Sequence, residues 1–330
     1  MLSSSSSSSS NNNSAELKLR VLITGGAGNL SKIILRHLGG GGSRNMYEFY
    51  AGIRSNTTHS VDDLAEVSNY AEIINLDLLE ITEIEETIAK YQFDVLIHTA
   101  ILGGRRTKTE DADVFYKNVL MFENILKFAD KFKMILNFDS GAIYNRDDDI
   151  YARKEDDLRT IPADFYGFSK YVIYKRGMQY DNVFNLRIFN IFHRDEEPDR
   201  FIKGCIMAAA NNTVFEIADD KYFDFFGEKD FAKVVDIYLK SVKVEGTTLP
   251  KTLNLSYEIK WCLSSIAFYI MDSVKFNELV VVKNKFKNET KNYCGCGELM
   301  THFAKSNGIV FNGLKNSILY LINELWHELE

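Results

Sequence analysis

The stretch 18-KLRVLITGGAGNLSKIILRHL-38 decides how this chain is expected to fold. Residues 18–24 are rich in β-forming side chains, and residues 31–38 carry apolar side chains at helical spacing. The turn between them is rich in glycine, which lets a backbone approach a pyrophosphate held on the free amides of the following helix. A plain glycine turn is the alternative. The strand before the turn and the helix after it favour the phosphate site.

Further apolar runs follow at a spacing that suits alternating strands and helices. We predict strands at 48–54, 71–77, 94–99 and 133–139, with helices at 81–91 and 114–132. This alternation indicates an α/β fold, a Rossmann-type doubly wound parallel sheet, whose ligands bind at the carboxyl ends of the strands. Polar residues fall at those ends, namely Arg54, Asp77, His98, Asp139 and Ser140.

The composition excludes several classes of protein. The 330 residues have a formal net charge of −7, and 45% of them are hydrophobic. The acidic balance disfavours nucleic-acid binding, which needs a basic footprint. No apolar run approaches the roughly 18 residues of a membrane helix. Four cysteines fit a reducing compartment, so we expect a cytoplasmic protein, and the spacing of Cys294 and Cys296 predicts a glycine-containing loop and no metal site.

The chain divides by composition and pattern into three parts. Residues 1–16 are rich in serine and asparagine and cannot bury enough surface to order themselves, so we expect a disordered tail. A functional serine-rich tail is the alternative. We predict a nucleotide-binding domain at 17–190 and a smaller C-terminal substrate-binding lobe at 191–330, with segments that return to the sheet.

Arg54 predicts which dinucleotide binds. A site that selects NAD usually places an acid after the second strand, where it accepts a hydrogen bond from the ribose 2′-hydroxyl. Here the second strand is followed by Arg54 and no acid. Because a guanidinium fork matches a phosphate, NADP(H) is favoured and NAD(H) remains possible. A surface arginine is the alternative.

Tyr166 and Lys170 form the candidate catalytic pair. Four residues apart, they lie on one face of a predicted helix. A lysine ammonium beside a phenol is expected to lower the phenol pKa, so that Tyr166 exchanges a proton with a carbonyl or alcohol oxygen. The same spacing recurs at Tyr171 and Lys175, which we assign to packing and surface.

The motifs that surround Tyr166 and Lys170 in the sequence resemble those of a known family. Ser140 lies 26 residues before Tyr166 at the end of the fifth strand, and Leu186-Arg187-Ile188-Phe189-Asn190 follows later. With the Thr24-Gly25 turn, these motifs make the chain similar to the extended short-chain dehydrogenases/reductases, the NAD(P)-dependent sugar epimerases, dehydratases and reductases. The resemblance spans residues 18–239.

The resemblance implies a role for each matched residue. Ser140, Tyr166 and Lys170 would be catalytic, and Ser140 and Asn190 would contact the substrate. The implied cofactor contacts are Gly25, Ala27, Gly28, Asn29, Leu30, Arg54, Asp77, Leu78, Thr99, Ala100, Asn118, Tyr166, Lys170 and Phe189.

Three departures from the family pattern change what we expect of the cofactor turn, the reaction and the substrate. Ser31 stands where the third glycine of the turn is expected, which should loosen the contact between helix and strand. Gly141 and Ala142 replace the acid pair of the dehydratases, so dehydration is not expected. Phe223 replaces an arginine that often holds a nucleotide-sugar diphosphate, so either Lys221 or Arg200 compensates or the substrate lacks a diphosphate.

The residues and the family resemblance together imply an NADP(H)-dependent carbonyl reductase acting on a sugar or nucleotide-sugar keto group. One alternative is a nucleotide-sugar epimerase with tightly bound NAD. A non-catalytic NADP sensor on the same fold is another, but a sensor has no need of Ser140, Tyr166 and Lys170. The expected partners are the small-molecule substrate and a possible second copy in a homodimer, with no nucleic acid or membrane.

Overall fold

The computed structural model describes residues 17–40, 46–55, 59–104, 110–244, 246–275, 280–284 and 290–329. The tail predicted to be disordered, residues 1–16, lies outside the described residues.

The described residues form alternating strands and helices. The strands are β1 (Leu19–Thr24), β2 (Tyr47–Ile53), β3 (Ala71–Asn75), β4 (Val95–His98), β5 (Met134–Ser140), β6 (Ile150–Arg153), β7 (Val183–Ile188), β8 (Ile191–Phe192), β9 (Phe215–Asp219), β10 (Phe226–Gly227), β11 (Thr252–Leu255), β12 (Val280–Asn284) and β13 (Tyr293–Gly295). The helices are α1 (Asn29–Leu38), α2 (Val61–Ser68), α3 (Ile81–Tyr91), α4 (Ala112–Leu126), α5 (Phe165–Gly177), α6 (Phe201–Ala210), α7 (Glu228–Ser241), α8 (Leu263–Ser273), α9 (Glu298–Ser306) and α10 (Gly313–Leu329).

A seven-stranded parallel sheet organises the molecule, in the order β11-β7-β5-β4-β1-β2-β3. Its interior strand β1 is apolar on both faces because helices cover both sides. Val21 and Ile23 pack into one core cluster, and Leu22 packs into the cluster on the other face. The strand order reverses at β1, between β4 and β2, which is where a doubly wound sheet opens a ligand crevice.

The predicted α/β fold is confirmed, with small differences at the ends of elements. The predicted strands and the observed strands β2 to β5 agree within two residues at each end. The helix predicted at 114–132 ends earlier, since α4 stops at Leu126 and a short 3₁₀ helix follows at Ala129–Lys131. The prediction of a loop around Cys294 is wrong, because backbone pairing with β6 makes this segment strand β13.

The segment after β8 both returns to the sheet and builds a separate core. β11 extends the sheet beside β7, and α7 packs against α1. Apolar residues of α6, α8 and α10 form another cluster, in which Ile206, Ile266 and Ile318 are almost fully buried. None of the helices in the described ranges has the length and apolarity that a membrane span requires.

Candidate active site

A cavity of about 330 Å³ opens at the carboxyl ends of β1, β2, β3 and β4. The glycine-rich turn and the start of α1 form one wall, and the segments after β2, β3 and β4 form the others. Eight of the predicted cofactor contacts line it: Gly25, Gly28, Asn29, Leu30, Arg54, Leu78, Thr99 and Ala100.

The glycine-rich turn is shaped by close backbone contacts. Gly25 has a φ of +65°, and a Cβ there would lie 2.9 Å from the Cα of Ala100. A Cβ on Gly26 would lie 2.6 Å from the Cβ of Ala51 on β2. Side chains larger than glycine therefore do not fit. The compact turn directs the N-terminus of α1, which begins at Asn29, toward the cavity, where its free amides favour a phosphate.

Ser31 does not loosen this turn, contrary to the prediction. Its side chain is fully buried, and its hydroxyl donates a hydrogen bond to the Gly25 carbonyl oxygen at 3.0 Å. The same hydroxyl pairs with the Thr99 Oγ1 at 2.8 Å. Thr99 in turn donates to the Thr24 carbonyl oxygen at 2.6 Å. The serine thus ties α1 to the segment after β4 through polar contacts that a glycine could not make.

Two cationic side chains and a histidine line the part of this cavity that lies next to the carboxyl end of β2. Arg54, His59 and Lys117 all line it. An ion pair with Asp113 at 2.7 Å raises the pKa of Lys117, and the nearby charge of Arg54 opposes that rise. Lys117 was not predicted from the sequence. Its position on α4, four residues before Met121 and on the same face, was the available signal, since both line the cavity.

A second cavity, of about 540 Å³, contains the predicted catalytic residues. Ser140, Tyr166 and Lys170 line it together with Phe189 and Asn190. The two cavities are neighbours, because four residues line both: Asn29, Leu30, Thr99 and Ile101.

The end of β5 and the first two turns of α5 bring the catalytic residues together. Ser140 is the last residue of β5, and its hydroxyl lowers the pKa of the Tyr166 phenol. Asp164 caps α5 by accepting a hydrogen bond from the Gly167 amide at 2.8 Å. Lys170, one turn after Tyr166, places its Nζ 5.9 Å from the centre of the Tyr166 ring.

The pKa of Tyr166 differs from the prediction. Burial raises the pKa of Tyr166 well above its usual value, although the hydrogen bond to Ser140 opposes the rise. Burial also lowers the pKa of Lys170 to about 8, and the Asp139 carboxylate opposes that change. The Lys170 ammonium donates a hydrogen bond to the Phe138 carbonyl at 2.6 Å. The expected lowering of the Tyr166 pKa is therefore wrong for this structure, because loss of solvation outweighs the nearby positive charge.

Three predicted cofactor contacts, Ala27, Asp77 and Asn118, lie outside both sets of lining residues. The Asp77 carboxylate accepts a hydrogen bond from the Leu79 amide at 2.9 Å. Asn118 is fully buried, and its side-chain amide accepts from the Leu102 N–H at 2.8 Å and donates to the Leu102 carbonyl at 3.0 Å. Both residues thus shape segments whose neighbours, Leu78, Leu79 and Leu102, form the wall.

The far wall of the second cavity is aromatic where the resemblance led us to expect an arginine. Phe223 lines it and packs against Tyr293, with ring centres 5.2 Å apart. Tyr293 in turn packs against Phe189 at 5.3 Å. The aromatic residues of the segment around Phe223 therefore have two roles. Phe225 is buried in the core, and Phe223 forms part of the cavity wall.

The charged residues of this cavity were mostly missed from the sequence. The loop after β8 contributes carboxylates from Glu196, Glu197 and Asp199, and Arg200 supplies a cation 3.6 Å from Glu196. Burial raises the pKa of Glu196 to about 7. Arg146, which follows the 3₁₀ helix after β5, is the other missed cation. Across the described ranges, no group of three or more His, Cys, Asp or Glu side chains is placed to hold a metal ion.

Comparison with known proteins gives a family and several similar folds. The model of the NAD dependent epimerase/dehydratase family matches residues 21–255. The enzyme WbmG of Bordetella bronchiseptica, solved in complex with NAD and UDP, is 20% identical, with a TM-score of 0.76 and 94% of each chain covered. No curated protein sequence matches significantly.

Two further solved structures have the same fold. The dTDP-glucose 4,6-dehydratase (rfbB) of Bacillus anthracis str. Ames, in complex with NAD, is 12% identical with a TM-score of 0.73. The UDP-glucose 4-epimerase of Thermotoga maritima, with UDP-glucose, is 15% identical with a TM-score of 0.72. Each alignment covers 94% of this chain and 100% of the other.

Proposed function

Because the chain belongs to the NAD dependent epimerase/dehydratase family, we propose that it is an NADP(H)-linked reductase of a sugar-like carbonyl, with Tyr166 as proton donor. Membership makes it an enzyme of the extended short-chain dehydrogenase/reductase type that uses a pyridine nucleotide. The choice of NADP(H), the net direction and the roles of individual residues are our proposals.

The observation that carries the proposal is the adjacency of two cavities with different chemistry. The first offers a glycine-lined turn and the N-terminus of α1, which fit a dinucleotide pyrophosphate. The second is lined by hydroxyls from Ser140 and Tyr166, and the serine lowers the pKa of the phenol. Residues such as Thr99 line both cavities, and this closeness supports hydride transfer between a cofactor in one and a substrate in the other.

Each catalytic side chain has a distinct task in the proposed reaction. A bound nicotinamide supplies the hydride that reduces the carbonyl carbon. Ser140 holds the carbonyl oxygen by a hydrogen bond, and Tyr166 transfers its phenolic proton to that oxygen. The positive charge of Lys170, fixed by the Phe138 carbonyl, stabilises the phenolate that remains.

The preference for NADP(H) rests on the charges around the end of β2. Arg54 and Lys117 line the cavity there, and both match a 2′-phosphate. The single carboxylate between residues 46 and 55 is that of Glu48, near the opposite end of β2. It pairs with Arg20 at 3.3 Å and is not placed to accept from a ribose hydroxyl.

The substrate end of the site supports a sugar and weighs against a tightly held diphosphate. We propose that the segment after residue 190 forms the substrate lobe, since Asn190, Arg200 and Phe223 line the second cavity. Aromatic walls suit the apolar face of a sugar ring. The carboxylates of Glu197 and Asp199 repel an anion, although UDP occupies the Bordetella structure and UDP-glucose the Thermotoga structure.

An epimerase that retains NAD is the second candidate, and the fold it shares with the Thermotoga UDP-glucose 4-epimerase favours it. Nicotinamide absorbance, followed with NADPH or NADH against keto-sugars and nucleotide keto-sugars, tests the proposal. We expect net oxidation of NADPH. Interconversion of UDP-sugars without net oxidation, by protein that retains NAD, would establish the epimerase instead. Tight NADPH binding with no conversion of any kind would refute catalysis.

A further inference from the structure

We propose that Arg146 is a second cationic partner of Tyr166, which stabilises the phenolate formed when Tyr166 gives up its proton. This inference rests on the proposed function, in which Tyr166 is the proton donor. When the O–H bond of Tyr166 breaks, the proton passes to the substrate oxygen and the negative charge stays on the phenol ring. Arg146 is a positioning residue in this scheme, because it acts through Tyr166.

The geometry places the guanidinium beside the ring. Arg146 lines the second cavity, and its guanidinium carbon lies 5.4 Å from the centre of the Tyr166 ring, within cation–π range. The Lys170 Nζ lies 5.9 Å from the same centre. Two cations from different elements therefore approach one phenol. Arg146 comes from the segment after the 3₁₀ helix Gly141–Tyr144, and Lys170 comes from α5.

Asp164 fixes the Arg146 side chain to the helix that carries Tyr166. One oxygen of the Asp164 carboxylate accepts a hydrogen bond from the Arg146 Nη2 and another from the Gly167 amide. Only 14% of the Arg146 side chain is exposed. The N-cap of α5 is thus also the anchor of the guanidinium, so any movement of the helix start carries both groups together.

Arg146 differs from Lys170 in the pH range over which it is charged. Burial lowers the pKa of Lys170 to about 8, so its charge falls away in weakly alkaline solution. A guanidinium stays protonated throughout the range in which proteins function. Arg146 is therefore the cation that persists when Lys170 has lost its proton.

Several other groups surround Tyr166 and contribute to its ionisation. The Ser140 hydroxyl and the Arg146 charge lower the pKa of Tyr166, whereas Tyr293 on β13 and Asp139 on β5 raise it. The Glu110 carboxylate accepts a hydrogen bond from the Tyr166 backbone N–H at 3.2 Å. Of the cations in the second cavity, Arg146 and Lys170 are the two whose charge lies against this ring.

The test measures ionisation of residue 166 directly and needs no substrate. Tyr166 is replaced in the full chain by 2,3,5-trifluorotyrosine, whose phenol is several pH units more acidic, and its titration is followed by ¹⁹F NMR. Arg146→Met should raise the midpoint by at least about one pH unit, the size expected for a cation at this distance in a partly screened site. Arg146→Lys should keep most of the original midpoint.

Two further variants keep the result decisive. Arg159→Met removes an arginine that is 66% exposed and pairs with Asp157, so the midpoint should not move. Asp164→Asn keeps an acceptor for the Gly167 amide but removes the charge that neutralises Arg146, so the midpoint should fall. An unchanged midpoint in Arg146→Met, or a rise in Asp164→Asn, would overturn the proposal. Failure of NADPH turnover, by contrast, would contradict only the proposed function.

Discussion

The Ser140 hydroxyl acts on the Tyr166 phenol across the gap between the end of β5 and the first turn of α5, where it lowers the pKa of the phenol. The backbone amide of Ala142 also donates to the Ser140 Oγ at 3.2 Å, which fixes the orientation of the serine. A substrate oxygen placed at this point meets two hydroxyl donors at once. In the proposed function, these two hydroxyls serve chemistry at an oxygen atom of the substrate.

Tyr166→Phe should lose turnover and keep cofactor affinity. The substitution removes the proton donor, whose contribution to rate is about 10²- to 10⁴-fold, and leaves the first cavity intact. Nicotinamide absorbance measures turnover, and fluorescence titration with NADPH measures affinity. Tyr171→Phe on the same helix is the matched control and should behave like wild type. Retention of full turnover in Tyr166→Phe would rule out its role as proton donor.

Arg54→Ala should weaken NADPH binding and leave NADH binding nearly unchanged. Loss of a hydrogen bond between charged groups costs about 1.5–3 kcal/mol, or roughly 10- to 150-fold in affinity. Lys117→Ala should act in the same direction with a smaller effect, because this lysine is partly exposed and pairs with Asp113. Calorimetric titration with both cofactors checks these expectations.

Lys133→Ala is the control for long-range charge, since Lys133 pairs with Asp94 at the opposite end of the sheet. Equal losses of NADPH and NADH affinity in Arg54→Ala would show that Arg54 does not bind the 2′-phosphate.

Gly104→Ala should lower turnover by displacing the Tyr166 ring. Gly104 has a φ of +96°, and a Cβ there would lie 3.1 Å from the Tyr166 Cε2 and Cζ. Gly308→Ala is the matched control: Gly308 has a φ of +64°, and a Cβ there would have no neighbour within 4 Å. Both variants should lose about 1–2 kcal/mol of unfolding free energy from backbone strain. If only stability changes and the two turnovers stay equal, Gly104 does not position Tyr166.

The double variant Glu197→Gln/Asp199→Asn should bind UDP more tightly, by roughly fivefold at low salt. It removes two negative charges from the rim of the second cavity, where they oppose a diphosphate. Glu85→Gln/Glu86→Gln makes the same change of net charge on the exposed face of α3 and is the control. The gain should shrink as salt is added. Unchanged or weaker binding at low salt would show that this loop does not face the phosphates.

His98 should make the fold sensitive to acid. Burial lowers the pKa of His98 to about 3, and its Nδ1 lies 2.9 Å from the Thr24 Oγ1. The unfolded chain binds the proton near pH ~6.5, so stability is complete above that pH and falls toward pH ~3 by about 1.4 kcal/mol per pH unit. His98→Asn should flatten this slope between pH 6 and pH 4 in urea unfolding.

His193 is buried too, and burial lowers its pKa to about 4, so it contributes in the same direction. The difference in slope between wild type and His98→Asn isolates His98. His302→Asn, at an exposed position, should retain the wild-type slope. Identical slopes in wild type and His98→Asn would mean that His98 is not the group that titrates.

Sequence patterns predicted what depends on local spacing. The strands of the sheet, the glycine-rich turn and the alignment of Tyr166 with Lys170 follow from periodicities of two and 3.6 residues. Ser140 was found because its place at a strand end brings it to the same edge as α5. These features need little knowledge of how distant segments pack.

The remaining features depend on packing between segments that are distant in the chain. Arg146 lies beside Tyr166 because Asp164 holds its guanidinium. Lys117 on α4 lies close enough to Arg54 for the two positive charges to interact. Glu110 accepts from both the Gly104 and the Tyr166 amides, which joins the segment after β4 to α5. The direction of the Tyr166 pKa depends on burial, which residue spacing does not report.

The wall shared by the two cavities constrains how this enzyme can evolve. Leu30 and Thr99 each face both cavities, so a substitution at either position alters the proposed cofactor cavity and the proposed substrate cavity together. A lineage that acquires a new substrate through these positions must therefore accept a changed cofactor affinity. Independent adaptation is open to residues that face one cavity alone, such as Arg54 in the first cavity and Phe223 in the second.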